Sequence, residues 1–168
     1  MHSPEIEKFF KVIKNPIGSL ILISNKSALI GIKFGTEEVK HLLHKCIREN
    51  QPILSETEKQ LKEYFAGNRK EFDIPLKLEG TDFQIKVWQE LTKIPFGETI
   101  SYQQLAEKMG SKNKARAVGN ANAKNPIPII IPCHRVIEKN GKLGGFGGGL
   151  HIKQFLLELE KTHSNAGA

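Results

Sequence analysis

SYQQLAEKMGSKNKARAVGNANA, residues 101–123, decides the fold of the second half of the chain. Ser101 with Gln104 three residues later is a capping-box pattern, in which the two residues satisfy each other's backbone N–H groups at a helix start. Tyr102, Leu105, Ala106 and Met109 then share one helical face, and Gly110 ends the helix. Gly110-Ser111-Lys112 is about the length of turn a helix-turn-helix uses. A second helix is expected from about Asn113 to Ala123. Ala115, Ala117, Gly119, Ala121 and Ala123 give it almost no side-chain bulk, and Arg116 and Lys114 are its long basic side chains. So slim a helix can approach a sugar-phosphate backbone, or it can pack tightly against a neighbour. The hairpin alone leaves both readings open.

Upstream, Phe83, Val87, Trp88, Leu91 and Ile94 predict an amphipathic helix closed by Pro95-Phe96-Gly97. Downstream, Pro126, Pro128 and Pro132 forbid a helix, so Asn125 to Pro132 is expected to be an extended, buried strand. Residues 139–149 read as a glycine-rich loop. Ile152, Phe155, Leu156 and Leu159 mark one face of a last helix, fraying from Thr162.

The first half has a different rhythm. Lys8 to Ile13, Leu20 to Ser24 and Leu29 to Phe34 are short apolar runs separated by Asn15-Pro16-Ile17-Gly18 and Asn25-Lys26, the pattern of an antiparallel meander. Residues 37–50 then switch to a helical period, with Val39, Leu42, Leu43, Cys46 and Ile47 on one face. A second helix is expected from about Glu56 to Ala66, stopped by Gly67, with an extra strand at Phe72 to Pro75. Residues 76–82 read as a linker. The expected fold is α+β: an antiparallel sheet with helices over 1–77, then a mainly helical domain containing a helix-turn-helix over 78–168.

The formal net charge is +7, which fits a polyanionic partner without proving one. Its distribution says more. Lys108, Lys112, Lys114, Arg116, Lys124 and Arg135 fall between Lys108 and Ile137, a stretch with no Asp or Glu. A surface shaped only for solubility normally mixes signs. The apolar run Ile127–Ile131 is far too short to span a bilayer. The opening MHSPEIEKFFK lacks the apolar run of a secretory signal. Cys46 and Cys133, too few for a disulfide framework, point to a reducing, cytoplasmic setting.

Four groups could carry chemistry. Cys133 follows Pro132 and precedes His134, and a neighbouring histidine or positive field, such as Arg135 supplies, lowers a thiol's pKa. A buried core thiol is the competing reading. The loop Gly144-Gly145-Phe146-Gly147-Gly148-Gly149 can bring backbone N–H groups against a flat ligand, or it is a plain flexible hairpin. It lacks the ending of a phosphate-binding P-loop. Glu160 could orient His134, or be a surface acid. His41, His44 and Cys46 make a poor metal set, because helical geometry points Cys46 to the core and both histidines to solvent.

These segments resemble the O6-alkylguanine-DNA alkyltransferases. The resemblance rests on Pro-Cys-His-Arg-Val (132–136) preceded by Asn-Pro-Ile-Pro (125–128), on Ile-Ser-Tyr-Gln-Gln-Leu-Ala (100–106) and on Ala-Arg-Ala-Val-Gly (115–119). It runs in register from about Phe83 to Glu160, while the first half matches only in its order of strands and helices. It implies a ribonuclease H-like first domain and irreversible, single-turnover transfer of a methyl or larger alkyl group from O6 of guanine to Cys133, with O4 of thymine open as a second substrate. His134 would act as base through a bridging water, with Glu160 orienting it and Asn125 organising the turn. Tyr102 would assist nucleotide rotation and donate a proton toward the leaving guanine. Arg116 would fill the space of the flipped base, with Lys114, Ala115, Lys124 and Arg135 also on DNA. Val136, Phe146, Gly147 and Lys153 would form the base pocket. The carbonyls of Cys133 and Val136 would accept from the base amine, and the Gly147 N–H would reach O6.

The resemblance further implies a monomer that meets double-stranded DNA through the minor groove, with no cofactor, no metal and no membrane contact. Some relatives hold a structural zinc in the first domain, but here only Cys46 is available. Phe146 and Gly147 stand where some members carry Tyr and Ser, so the pocket wall is more apolar. Two other readings compete: a damage sensor that binds alkylated DNA without repairing it, and a cysteine hydrolase built on Cys133 and His134.

Overall fold

The computed structural model describes residues 7–164. The chain divides into two compact units, one ending at Leu78 and the other starting at Glu79. The reading of the extreme N-terminus and that of the tail beyond Ser164 fall on residues outside those described.

The first unit is built on β1 (Phe9–Asn15), β2 (Gly18–Ser24), β3 (Leu29–Phe34), α1 (Val39–Lys45), β4 (Ile47–Arg48) and α2 (Pro52–Phe65). The sheet order is β3-β2-β1-β4, antiparallel except for β4, which runs parallel to β1. One face of the sheet, with Phe10, Ile21 and Ile23, packs against Leu42 and Cys46. The opposite face meets α2, where Lys11 pairs with Glu58 at 2.7 Å. Burial on both faces explains why Leu20–Ile23 is continuously apolar rather than alternating.

Three expectations here need correction. The helix of residues 37–50 ends at Lys45; Leu43 and Ile47 are exposed, and Ile47 enters the sheet instead. The second helix starts earlier, at Pro52, because proline at the first helical position needs no N–H partner. Phe72 to Pro75 is not a strand. The Gln60 amide exchanges hydrogen bonds with the backbone of Asp73, which satisfies those groups without a ladder. Only Leu76, inside the supposed linker, bridges to Leu29.

The second unit holds α3 (Asp82–Leu91), β5 (Ile100–Ser101), α4 (Tyr102–Lys108), α5 (Ala115–Ala123), β6 (Val136–Ile137) and α6 (Leu150–Ser164). α3 opens with a Thr81–Gln84 capping box and α4 with the expected Ser101–Gln104 box. A 3₁₀ turn, Lys112–Lys114, leads into α5. α3 ties to α5 through Trp88, whose indole N–H donates to the Ala121 carbonyl at 2.8 Å. Ile100 and Ser101 pair with Val136 and Ile137, which sets the start of α4 beside the segment following Cys133. α6 stays helical through Ser164, past the expected fraying point.

Candidate active site

The chain from Asn125 to Pro132 is not the extended strand its prolines suggested. Prolines forbid helix but favour tight turns, and Pro128 is followed by Ile129 at φ 75, the order a type II turn uses. The Ile131 N–H donates to the Ile127 carbonyl at 2.9 Å and closes the loop. A branched residue at positive φ is costly and persists only where its surroundings over-determine it. Here Ile127, Ile129 and Ile131 are all fully buried. Asn125 fastens the loop from within. Its amide donates to the Ile131 carbonyl at 2.7 Å, and its Oδ1 accepts from the Ile127 N–H at 3.0 Å.

The loop delivers a 3₁₀ turn, Cys133–Arg135, whose three side chains are all buried. His134 Nε2 lies 2.6 Å from Glu160 Oε2. Arg135 grips the same carboxylate with two N–H groups, at 2.7 Å and 3.0 Å, and donates a third to the Ile94 carbonyl at 2.6 Å. Its guanidinium also stands 5.8 Å from the Phe96 ring centroid. Arg135 therefore does not belong on a DNA-facing surface, as expected above. It is a buried counter-charge, with 6% of its surface exposed.

This geometry fixes the protonation states. Burial alone would raise the Glu160 pKa, but hydrogen bonds and charge from His134 and Arg135 hold it down at about 2. Burial lowers the His134 pKa, and Glu160 only partly offsets it, so the ring is neutral. With the carboxylate accepting a hydrogen bond from Nε2–H, the lone pair sits on Nδ1. That atom is buried and has no hydrogen-bond partner among the described residues. Glu160 also makes the fold acid-sensitive. Its folded pKa lies below the ordinary 4.5, so its contribution is fully present above that pH and fades as pH falls toward about 2. Acid titration of thermal stability should lose on the order of 3 kcal/mol across that window, and Glu160→Gln should flatten the loss.

Cys133 departs from expectation. Rather than a pre-lowered thiol, it is 5% exposed, and burial pushes its pKa up to about 11 against the Asn125 hydrogen bond and the Lys153 charge. The resting group is a thiol beside an unprotonated base, poised for proton transfer rather than already ionised. Lys153 is itself fully buried. Its ammonium donates to the Val136 carbonyl at 2.7 Å and the Gly145 carbonyl at 3.3 Å, and sits 5.9 Å from the Tyr102 ring centroid. Burial lowers its pKa to about 8, less a pull upward from Cys133 and Glu138.

Tyr102, half-buried at the start of α4, has its pKa raised by burial and by the Cys133 and Glu138 charges, while Asn122 lowers it. The loop passes over this ring so closely that a Cβ at Gly144 would fall 3.0 Å from the Tyr102 hydroxyl, and Gly144 holds φ 73. Phe146 is half-buried; Gly147 is exposed, with open space where a side chain would stand. On α5, Arg116, Ala117, Asn120 and Ala123 are exposed, and Lys124 beyond its end is exposed too. Ala115 is half-buried, and Lys114, also exposed, uses its ammonium to cap the Met109 carbonyl at 2.9 Å. Of the small residues, Ala117 and Ala123 thus face outward with Arg116, while Ala121 is buried and Ala115 and Gly119 are half-buried.

Sequence reasoning overlooked Asn122, and it read Gly144 only as part of the glycine-rich loop, not as a contact of Tyr102. Asn122 had a readable signal: it lies four residues after Val118, so a polar side chain falls on the buried face of α5. Gly144 had none beyond glycine itself.

Comparison with known proteins agrees with this arrangement. Residues 8–78 match the family described as 6-O-methylguanine DNA methyltransferase, ribonuclease-like domain, and residues 82–162 match its DNA binding domain. A methylated-DNA–protein-cysteine methyltransferase of Methanosarcina acetivorans is 44% identical over 152 residues, covering 90% of this chain and 97% of that protein. The crystal structure of the O6-methylguanine methyltransferase of Mycobacterium tuberculosis superposes with a TM-score of 0.85 at 45% identity, over 95% of this chain and 96% of that one. The M. tuberculosis protein in complex with DNA gives a TM-score of 0.82 at 43% identity, over 94% and 96%.

Proposed function

Because the chain belongs to the 6-O-methylguanine DNA methyltransferase family, we propose that Cys133 is the atom on which its repair reaction ends. The chain repairs DNA by direct reversal, moving a methyl group from O6 of guanine to a cysteine of the protein itself. The observation that carries the assignment is the buried His134–Glu160 pair directly after the buried Cys133, with the imidazole lone pair on an Nδ1 that has no hydrogen-bond partner among the described residues. In the reaction Cys133 loses its proton to Nδ1, directly or through a water. The thiolate then attacks the alkyl carbon in line with the carbon–oxygen bond. A sulfur–carbon bond forms, the carbon–oxygen bond breaks, and its electron pair goes to guanine. Tyr102 returns a proton to the base, and Lys153 steadies both the thiolate and the pocket through the Val136 and Gly145 carbonyls.

The alkyl carbon is hidden inside the base stack, so the nucleotide must rotate out, at a cost lowered by the poor pairing of the lesion. The outward face of α5, small residues around Arg116, suits a minor groove, with Arg116 occupying the vacated space and Lys124 on phosphate. The Val136 carbonyl would accept from the base amine beside the Lys153 ammonium, and the Cys133 carbonyl, which already accepts from the Val136 N–H and the Asn122 amide, would exchange one of these for it. The Gly147 N–H, with Phe146 beside it, would reach O6. We further read the protein as a cytoplasmic monomer, residues 78–168 carrying the chemistry and 1–77 a separate domain. Among the described residues, no helix is long and apolar enough to cross a membrane.

The thioether product resists hydrolysis, so each molecule acts once. Titrating O6-methylguanine duplex with protein should remove one lesion per active molecule and then stop; continued turnover would overturn the proposal in favour of a hydrolytic enzyme. Arg116→Ala should slow repair of duplex DNA at least tenfold while leaving reaction with free O6-alkylguanine within about twofold, because only the duplex presents a gap to fill. Equal slowing of the two, measured in single-turnover assays, would remove Arg116 from the wedge role.

A further inference from the structure

Asn122 is the one polar side chain on the buried face of α5, and it is 5% exposed. Its Nδ2 is directed at the Cys133 carbonyl at 3.4 Å. The same amide is near enough to Tyr102 to favour its ionised form against burial, which disfavours it. Its Oδ1 is buried and has no hydrogen-bond partner among the described residues. A leucine would fill a similar volume without stranding a polar atom, so packing does not account for an amide here.

We propose that Asn122 is a positioning residue for alkyl transfer, a single amide through which the DNA-facing helix holds both the Tyr102 hydroxyl and the backbone of Cys133 in reacting register. This rests on the reading of Cys133 as acceptor and Tyr102 as proton donor. The proton balance shows why an amide helps. The thiol proton passes to His134 and the Tyr102 proton passes to guanine as the carbon–oxygen bond breaks. That leaves an imidazolium and a phenolate, whose charges cancel; once the imidazolium proton returns to the phenolate, the net change is one proton moved from sulfur to the base as the alkyl group moves the other way. The phenolate is the new charge on the α4 side. The Asn122 N–H and the Lys153 ammonium, 5.9 Å from the ring centroid, are the donors placed to stabilise it. Because Asn122 lies on the same helix as Arg116, seating of α5 on DNA and the setting of Tyr102 are mechanically one event.

The test uses the full chain with Asn122→Leu and Asn122→Asp. Both should bind lesion-containing duplex within about twofold of the parent in a Cys133→Ala background, yet transfer from O6-methylguanine should fall at least tenfold. Reaction of Cys133 with iodoacetamide should stay within about twofold in Asn122→Leu, because iodide leaves without a proton from Tyr102. The phenolate absorbance of Tyr102, read in a Tyr64→Phe background, should appear at higher pH in Asn122→Leu. Combined with Tyr102→Phe, either substitution should add little further slowing. Undiminished transfer overturns the proposal, as does equal slowing of transfer and iodoacetamide reaction, which would make Asn122 merely structural. If the parent protein itself accepts no methyl group on Cys133, the underlying reading fails instead.

Discussion

Cys133→Ala should abolish methyl transfer altogether while leaving a folded protein that still binds alkylated duplex DNA. The substitution removes a small buried group from a turn whose shape is set by Asn125, Ile129 and Ile131 rather than by the thiol. Cys46, the other thiol, lies in the first unit, packed with Phe10 and Leu42 and with its pKa raised by burial. Residual transfer above the uncatalysed rate would mean that the acceptor lies elsewhere. Gel-shift and single-turnover assays on the same preparation separate the two effects: binding within a few-fold of the parent, transfer absent. The persistent lesion should also leave the complex intact, because the protein never reaches the alkylated, spent form.

Glu160→Gln is expected to have the second-largest effect, on stability as much as on rate. Glu160 is the counter-charge to the buried Arg135 guanidinium and is also the partner of His134. Removing one member of such a buried pair strands the other, at a cost of about 3–5 kcal/mol. A shift of that size should lower the denaturation midpoint clearly in urea or heat. The rate should fall by roughly 10²–10⁴, since a neutral amide no longer dictates which imidazole nitrogen carries the proton. A double replacement, Arg135→Met with Glu160→Leu, separates the two roles. It should recover much of the stability, because apolar groups can replace a buried ion pair, but none of the activity. Recovered transfer in the double variant would show that His134 needs no orienting carboxylate.

How legible was this site? Local patterns with a backbone logic were read well. The Ser101–Gln104 capping box formed as expected, because both partners lie within one turn. The meander strands also formed where their turn residues placed them. Legibility failed where a residue's partner is remote in sequence. Arg135 looked like one more charge in a basic stretch; Glu160, 25 residues on, and the Ile94 carbonyl, 41 residues back, bury it. The Cys133 pKa erred in the same way. An adjacent His134 suggests a lowered value, but that ring faces Glu160, and the desolvation that raises the thiol is a property of the packed unit. Prolines 126, 128 and 132 excluded helix correctly, yet they could not distinguish a strand from a turn that closes on Ile127. Asn122 needed only the helical period, while the contact of Gly144 with Tyr102 required the loop path itself.

The measurement that bears most directly on the central claim is peptide mass after reaction. The protein is incubated with duplex DNA carrying O6-methylguanine, digested and weighed. A gain of one methyl group on the peptide holding Cys133, on no other peptide and in step with lesions lost, is the predicted result. An unmodified Cys133 peptide alongside tight binding of the damaged duplex would contradict it and mark the protein as a sensor of alkylated DNA.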